Sequence, residues 1–495
     1  MSHRTFLPPC LGIIAVLALL TGCKTTAPLQ GPALSWQVPE QYEPRLKACF
    51  ADKEKQARKL AVTYAAKYGS GVTGADVRVA PEVWPYFQAG VTGDWKEAAE
   101  FYRQLAYRSH HFGFTTNPDP QLVAIWQPVN ETAWALRMLS AKQSESFVRY
   151  GQDLLAAVPA GGILLGTTDA GRFMPTFLCK SHMDGDPIFV ISPNQLGDGS
   201  YRDYLDSMFA TKLQLPQSAD VDAAFQDYVS DARQRHASGQ LKPAEEVVVV
   251  GKQTHVSGRG AVVAMNGHIA RQLWERNRDV YVEGPFTPDW ARPHFVPRGP
   301  VLYLSPKQQD GISEVDAAAD RTWWAARVKE ELGEAVDEHT PRERILALAR
   351  TNYLSLADFG IRPELHAKLS ETRRNFAMQA PSSRLALATQ RAQAGKVYWW
   401  HCATSTNRAT KLRMWIEAET AFRQALALCP NGQDVDTGYF DWLATTRRAD
   451  EAAEVLALVE EMSPPADLDN DWLKRAKARL APSPAGPDTM KPADR

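Results

Sequence analysis

Gly162-Ile-Leu-Leu-Gly-Thr-Thr-Asp-Ala-Gly-Arg172 decides the architecture of this chain. Three apolar residues run into a Gly/Thr/Asp turn, and beyond it, over 172–182, the apolar residues take helical spacing. Short apolar runs bounded by Gly, Pro and charges read as buried strands. The pattern recurs at Pro187-Ile-Phe-Val-Ile191, Glu246-Val-Val-Val-Val250, Val280-Tyr-Val-Glu283 and Val301-Leu-Tyr-Leu304. Helical stretches over 201–235, broken near Pro216, and over 260–275 separate the strands. Strand–helix–strand alternation predicts an α/β domain, with a central, mostly parallel sheet and helices on both faces.

Outward from this core the period becomes helical. A helix is predicted over 43–68, with Leu46, Phe50, Leu60 and Tyr64 on its apolar side. Trp84, Phe87 and Ala89, a Gly93-Asp94 turn, then Ala98, Phe101, Tyr102 and Leu105 resemble one tetratricopeptide unit. A helical region follows the sheet from Val315 to Gln393. After it, Glu417-Ala-Glu-Thr-Ala-Phe-Arg-Gln-Ala-Leu-Ala-Leu-Cys-Pro430 resembles the second helix of such a repeat and its closing Pro. The next copy carries Tyr439, Leu443, Ala452, Leu456 and Val459, and closes at Pro464, 34 residues on. That spacing is the tetratricopeptide period.

The N-terminus speaks to location. Arg4 precedes the apolar run Leu11–Leu20, which ends in Leu20-Thr-Gly-Cys23. The run is short for a membrane span of about 20 residues and suits a signal peptide. Its last four residues resemble a bacterial lipobox, which implies a mature chain beginning at a lipidated Cys23. The alternative is an ordinary secretory signal. The expected order is signal peptide (1–22), tether (23–40), helical tetratricopeptide-like segment (41–157), α/β domain (158–310), helical connector (311–400), tetratricopeptide repeats (401–480) and disordered tail (481–495). Two or three lipid chains would hold such a protein stably, where one is marginal. Lys24 in place of Asp favours the outer membrane, facing the periplasm, over the inner membrane.

Lys and Arg total 56 against 57 Asp and Glu, so no basic excess points to nucleic acid. Of six cysteines, Cys49, Cys179, Cys402 and Cys429 remain once Cys10 and Cys23 are set aside. Cys402 and Cys429 flank a helical segment and form the candidate disulfide, against a reading of all four as small buried residues.

The chemistry concentrates in the Gly166–Arg172 turn. Ligands of parallel sheets sit at the carboxyl ends of strands, and a helix start offers free N–H groups to an anion. Thr168, Asp169 and Arg172 are therefore candidate ligand-binding residues. The competing reading makes Thr168 or Asp169 an N-cap and Gly166 and Gly171 packing residues. Asn194 and Asp198, after the neighbouring strand, are expected nearby. His182-Met-Asp-Gly-Asp186 reads as a turn rather than a metal site. Dinucleotide, P-loop, G-x-S-x-G and H-E-x-x-H signatures are missing from the sequence, so no catalytic residue, cofactor or metal is assigned.

Several phrases together resemble one family. They are Gly162–Phe173, Asp186–Leu205, Met265-Asn-Gly-His-Ile-Ala270, Val280–Trp290, Pro297–Leu304 and the Ala-rich segment ending at Pro430. They resemble the soluble part of an uncharacterised bacterial family whose larger members add a multi-spanning, mannosyltransferase-like membrane half. That half has no counterpart in this sequence, so the resemblance implies an accessory or recognition role. The expected function is a lipid-anchored cell-envelope module that meets a protein partner through its repeats. The alternative is an enzyme or binder for an envelope glycan or phosphorylated sugar at the Gly166–Arg172 turn.

Overall fold

A computed structural model describes residues 37–68, 80–108, 120–141, 144–179, 188–209, 212–241, 245–250, 253–257, 259–286, 288–355, 383–429, 433–462 and 471–480. Cys23, the signal, most of the tether, the tail, Pro430, Pro464 and the His182–Asp186 segment lie outside the described residues. The chain is mostly helical and divides into two compact units at Gln309/Asp310. Residues 41–157 belong to the same unit as the sheet, and 311–400 belong with 401–480.

In the first unit, α1 (Glu43–Tyr68), α2 (Val83–Thr92), α3 (Trp95–Arg108), α4 (Pro120–Leu139) and α5 (Ser144–Ala157) precede the sheet. The α2–α3 hairpin turns at Gly93, which has φ 89°. Gly90 lets the Phe50 ring of α1 lie against α2, since a Cβ there would come within 1.9 Å of it. Phe50, Tyr86, Phe87 and Trp95 fill the space among these helices, with ring centroids 5.1–6.4 Å apart.

The sheet then forms from β1 (Ile163–Gly166), β2 (Phe189–Ile191), β5 (Val280–Glu283), β6 (Phe295–Arg298) and β7 (Val301–Leu304), in the order β2-β1-β5-β7-β6. β1 is parallel to both neighbours, with Leu165 opposite Ile191 and Val282. β7 is antiparallel to β5 and β6. Four of the five strands thus run one way. Glycines and prolines hid β6 in the sequence. Pro297 lacks an N–H and fits an edge strand, and Gly299 (φ 60°) turns the chain into β7.

The Glu246–Val250 run is a strand, β3, outside this sheet. It pairs antiparallel with β4 (Gln253–Ser257) as a separate two-stranded hairpin. Only one side is covered: Val247 and Val256 pack with Tyr228, Ala232 and Ala261, whereas Val248 is 56% exposed. An unbroken Val run resembles a strand buried on both faces, and the polar partner Gln-Thr-His-Val-Ser carries no strand signal of its own.

α6 (Asp169–Leu178), α7 (Gly199–Phe209), α8 (Ser218–Ala237) and α9 (Arg259–Arg276) complete the unit. α4 and α5 both lie against α6. The links from β1 to β2 and on to β5 place those strands on opposite sides of β1. The carboxyl end of β1 is therefore a switch point of the topology, the usual ligand position in such sheets.

The second unit is helical: α10 (Glu314–Leu332), α11 (Arg342–Ser355), α12 (Ser383–Thr404), α13 (Arg408–Leu428), α14 (Gln433–Thr445), α15 (Ala449–Met462) and α16 (Asp471–Leu480). α12–α13 and α14–α15 are successive hairpins, with α14 against both α12 and α13. The Phe422 ring seats against Gly395 and Gly438 and stacks on Tyr439 at 6.0 Å. Beneath it Arg391 and Asp320, both fully buried, pair at 2.8 Å, and Asp320 also accepts from the Tyr398 hydroxyl at 2.9 Å. Gln424 accepts from Arg391 Nε.

Cys402 and Cys429 form no disulfide. Cys402 lies just before the α12–α13 turn, and Cys429 caps the far end of α13, a 21-residue helix about 30 Å long. A disulfide needs Cα atoms within about 7 Å, so this pair is excluded. Flanking a helix in sequence puts two residues at its opposite ends.

Candidate functional site

Thr168 is the N-cap of α6 and accepts the Gly171 N–H at 2.9 Å. The anion at this helix start comes from the protein itself. Glu283, the last residue of β5, lies beside Gly166 in the parallel register and is fully buried. Its Oε2 accepts the backbone N–H of Thr167 at 3.0 Å and of Thr168 at 3.1 Å. Its Oε1 accepts the hydroxyls of Thr168 at 2.6 Å and Tyr150 at 2.7 Å. The Thr167 hydroxyl donates to the Glu283 carbonyl at 2.5 Å. Four donors on one carboxylate close the position that a ligand phosphate would occupy. Gly171 makes this possible, because a Cβ there would lie 2.0 Å from the Glu283 carboxyl carbon.

Asp169 and Arg172 stand differently. Among the described residues the Asp169 carboxyl has no hydrogen-bond partner. Burial pushes its pKa up to about 6, against lowering by Arg172 and Arg137 and raising by Glu283. A carboxyl perturbed this way at a switch point fits a functional site. Arg172 donates to the Gln127 side-chain oxygen, and Gln127 in turn donates to Gln195 at 3.2 Å. The guanidinium also lies 4.5 Å from the Phe173 ring centroid and 5.8 Å from that of Tyr201.

This chain of amides links the turn after β1 to the one after β2. Asn194 is exposed there, and its carbonyl accepts from the Asn266 side chain. Asp198 accepts from the backbone and hydroxyl of Ser200 at 2.8 Å and so caps the start of α7. Of the five candidates, Thr168 and Asp198 are committed to caps. Asp169 and Arg172 are half-buried, and Asn194 is exposed.

Residues not singled out in the sequence define the surroundings. Glu283 had a signal, a lone charge closing the strand Val280-Tyr-Val. Behind the β2 turn, Lys53 and Glu131 form a buried ion pair at 2.6 Å, and the Tyr204 hydroxyl donates to Glu131 at 2.9 Å. Nearby, burial pushes the Cys49 thiol up to about 12, which makes it a poor nucleophile. On the other side, Trp134 stacks on Phe173 at 5.5 Å, and Arg137 lies 5.0 Å from the Trp134 ring centroid. The Lys53–Glu131, Tyr204–Glu131 and Trp134–Phe173 pairs come from distant helices and leave no local pattern.

Among the described residues no three His, Cys, Asp or Glu side chains converge as a metal site requires, and no helix is long and apolar enough to cross a membrane. No protein-family model, curated protein or solved structure matches this chain.

Proposed function

We propose that this chain is a lipid-anchored cell-envelope protein that works as a protein-interaction or recognition module. The hairpin stack of its second unit provides the docking surface, and the lipobox-like Leu20–Cys23 provides the anchor. The observation that carries the reading is an apolar pair on the exterior of α13. Leu412 is 64% exposed and Ile416, one helical turn on, is 40% exposed. Large apolar side chains on an outer helix face are a common feature of partner surfaces.

The test is a Leu412→Glu/Ile416→Glu variant of the chain from Lys24 onward. Cross-linked capture from solubilised envelope should lose a specific protein partner while the far-UV CD spectrum is unchanged. Equal capture by both chains refutes the docking role. For the anchor, Cys23→Ser should move the full chain from the membrane pellet to the soluble fraction, and continued sedimentation with membranes refutes it.

A second reading, recognition of an envelope glycan or phosphorylated sugar, draws on Asp169, which has no partner at the Gly166–Arg172 turn. Here Arg172→Ala should lose ligand affinity with little change in stability. Unfolding of that variant would assign Arg172 to packing.

A further inference from the structure

A pocket of about 50 Å³ opens among α2, α3 and α4, lined by Tyr86, Ala99, Tyr102, Ala133, Trp134 and Arg137. Its walls are aromatic and aliphatic on every side but one. The Tyr86 hydroxyl is already bonded to Thr132 at 2.7 Å and to the Val129 carbonyl at 3.1 Å. Tyr102 donates to Asn130 at 3.3 Å. Apart from the Trp134 indole N–H, the remaining polar group of the lining is the Arg137 guanidinium. Among the described residues it makes no hydrogen bond and no ion pair, and it rests only on the Trp134 ring, 5.0 Å from its centroid.

A half-buried guanidinium without an acceptor keeps part of its desolvation cost, and a ring face offsets some of it. Burial accordingly lowers the Arg137 pKa, opposed by Tyr102 and Asp169. A carboxylate matches the guanidinium fork with two parallel hydrogen bonds. Size narrows the ligand further. One water needs roughly 10–15 Å³ of such volume, so the pocket holds about three to five heavy atoms. The negative field of nearby Asp169 disfavours a dianion relative to a singly charged group.

We propose that this pocket binds a small organic carboxylate, whose acid group pairs with Arg137 and whose short hydrocarbon body lies against Tyr102, Ala133 and Trp134. The site uses neither Glu283 nor any residue of the second unit, so it stands or falls apart from the docking role.

The test titrates the chain from Lys24 onward with propionate, its neutral isostere propionamide, and inorganic phosphate, by calorimetry and tryptophan fluorescence. Propionate should bind at least about tenfold more tightly than propionamide, as a charge-assisted pair predicts. Arg137→Gln should abolish that preference, and Arg137→Lys should restore part of it. Equal affinity for acid and amide in the unmodified protein overturns the proposal without any variant. Preference for phosphate overturns the ligand class. Should Arg137→Gln unfold, Ala133→Leu fills the pocket and leaves the cation in place. It should weaken propionate binding at least about tenfold, and unchanged binding would refute the site.

Discussion

Replacing Glu283 by Ala tests the construction of the sheet's switch point. Two backbone N–H groups, Thr167 and Thr168, and two hydroxyls, Thr168 and Tyr150, converge on this fully buried carboxylate. The hydroxyls can rotate toward other acceptors, whereas the amides are fixed by the turn. An orphaned buried donor costs about 1–3 kcal/mol. Two of them, with the cavity left by the side chain, give about 3–5 kcal/mol for Glu283→Ala. Glu283→Gln keeps the shape and leaves one oxygen for both amides, while its NH₂ group meets hydroxyls that can accept. About 1–2 kcal/mol is expected for it. In a unit of this size each kcal/mol lowers Tm by about 2–4 °C, so Ala should lower the first unit's transition by roughly 6–20 °C and Gln by far less. Gly171→Ala should match the Ala variant, because its Cβ would occupy the carboxyl position. Thermal melts followed by far-UV CD decide it. An Ala variant within about 2 °C of the parent, or a Gln variant worse than Ala, would refute the reasoning.

Three further outcomes are expected. Asp169 has a native pKa near 6 against an ordinary 3.8, so the folded state holds the proton more tightly. Its contribution is most favourable below about pH 4 and is lost as pH rises through 6, at most about 3 kcal/mol. Asp169→Asn should remove that slope from urea midpoints measured between pH 4 and 7, and an unchanged slope would place the titration elsewhere. In the second unit, Asp320→Ala leaves Arg391 as a buried unpaired charge and should cost about 3–5 kcal/mol by denaturant unfolding. Asp320→Leu combined with Arg391→Met should recover much of that, and failure to recover would mean that the pair contributes more than its own charges. Finally, non-reducing peptide mapping should find the Cys402 and Cys429 peptides unlinked, since about 30 Å of helix separates them.

Elements with a strong local period were legible. The helix over 43–68, the hairpin turning at Gly93, and the strands at 163–166, 280–283 and 301–304 all carry their signal in ten or twenty consecutive residues. What depended on distant partners was not. A Val run can lie buried between helices or cover one side of a hairpin, and only the contacts of Tyr228 and Ala232 on α8 decide which. β6 contains Pro297, a residue that argues against a strand until the position is known to be an edge. The candidate site divides the same way. The turn after β1 was visible from its glycines and threonines, and Thr168 as a cap was one of its two readings. Its electrostatic content was not visible, because the carboxylate arrives from β5, 115 residues away from Thr168.

That arrival changes what the turn can do. A helix start at a switch point is the common seat for a phosphate, because unpaired N–H groups and the helix dipole both favour negative charge. Here the Glu283 carboxyl takes that place, and its four hydrogen bonds fix the turn, the first residues of α6 and Tyr150 of α5 in one arrangement. A ligand phosphate would have to displace a buried carboxylate or sit beside it, and both are unfavourable. Chemistry at this end of the sheet is therefore displaced sideways, to groups that the internal anion leaves uncommitted. The cations Arg172 and Arg137 both act on the Asp169 carboxyl, and each of those meets a different neighbour. Arg172 leads through Gln127 to the turn after β2, whereas Arg137 faces the aromatic pocket of α3 and α4.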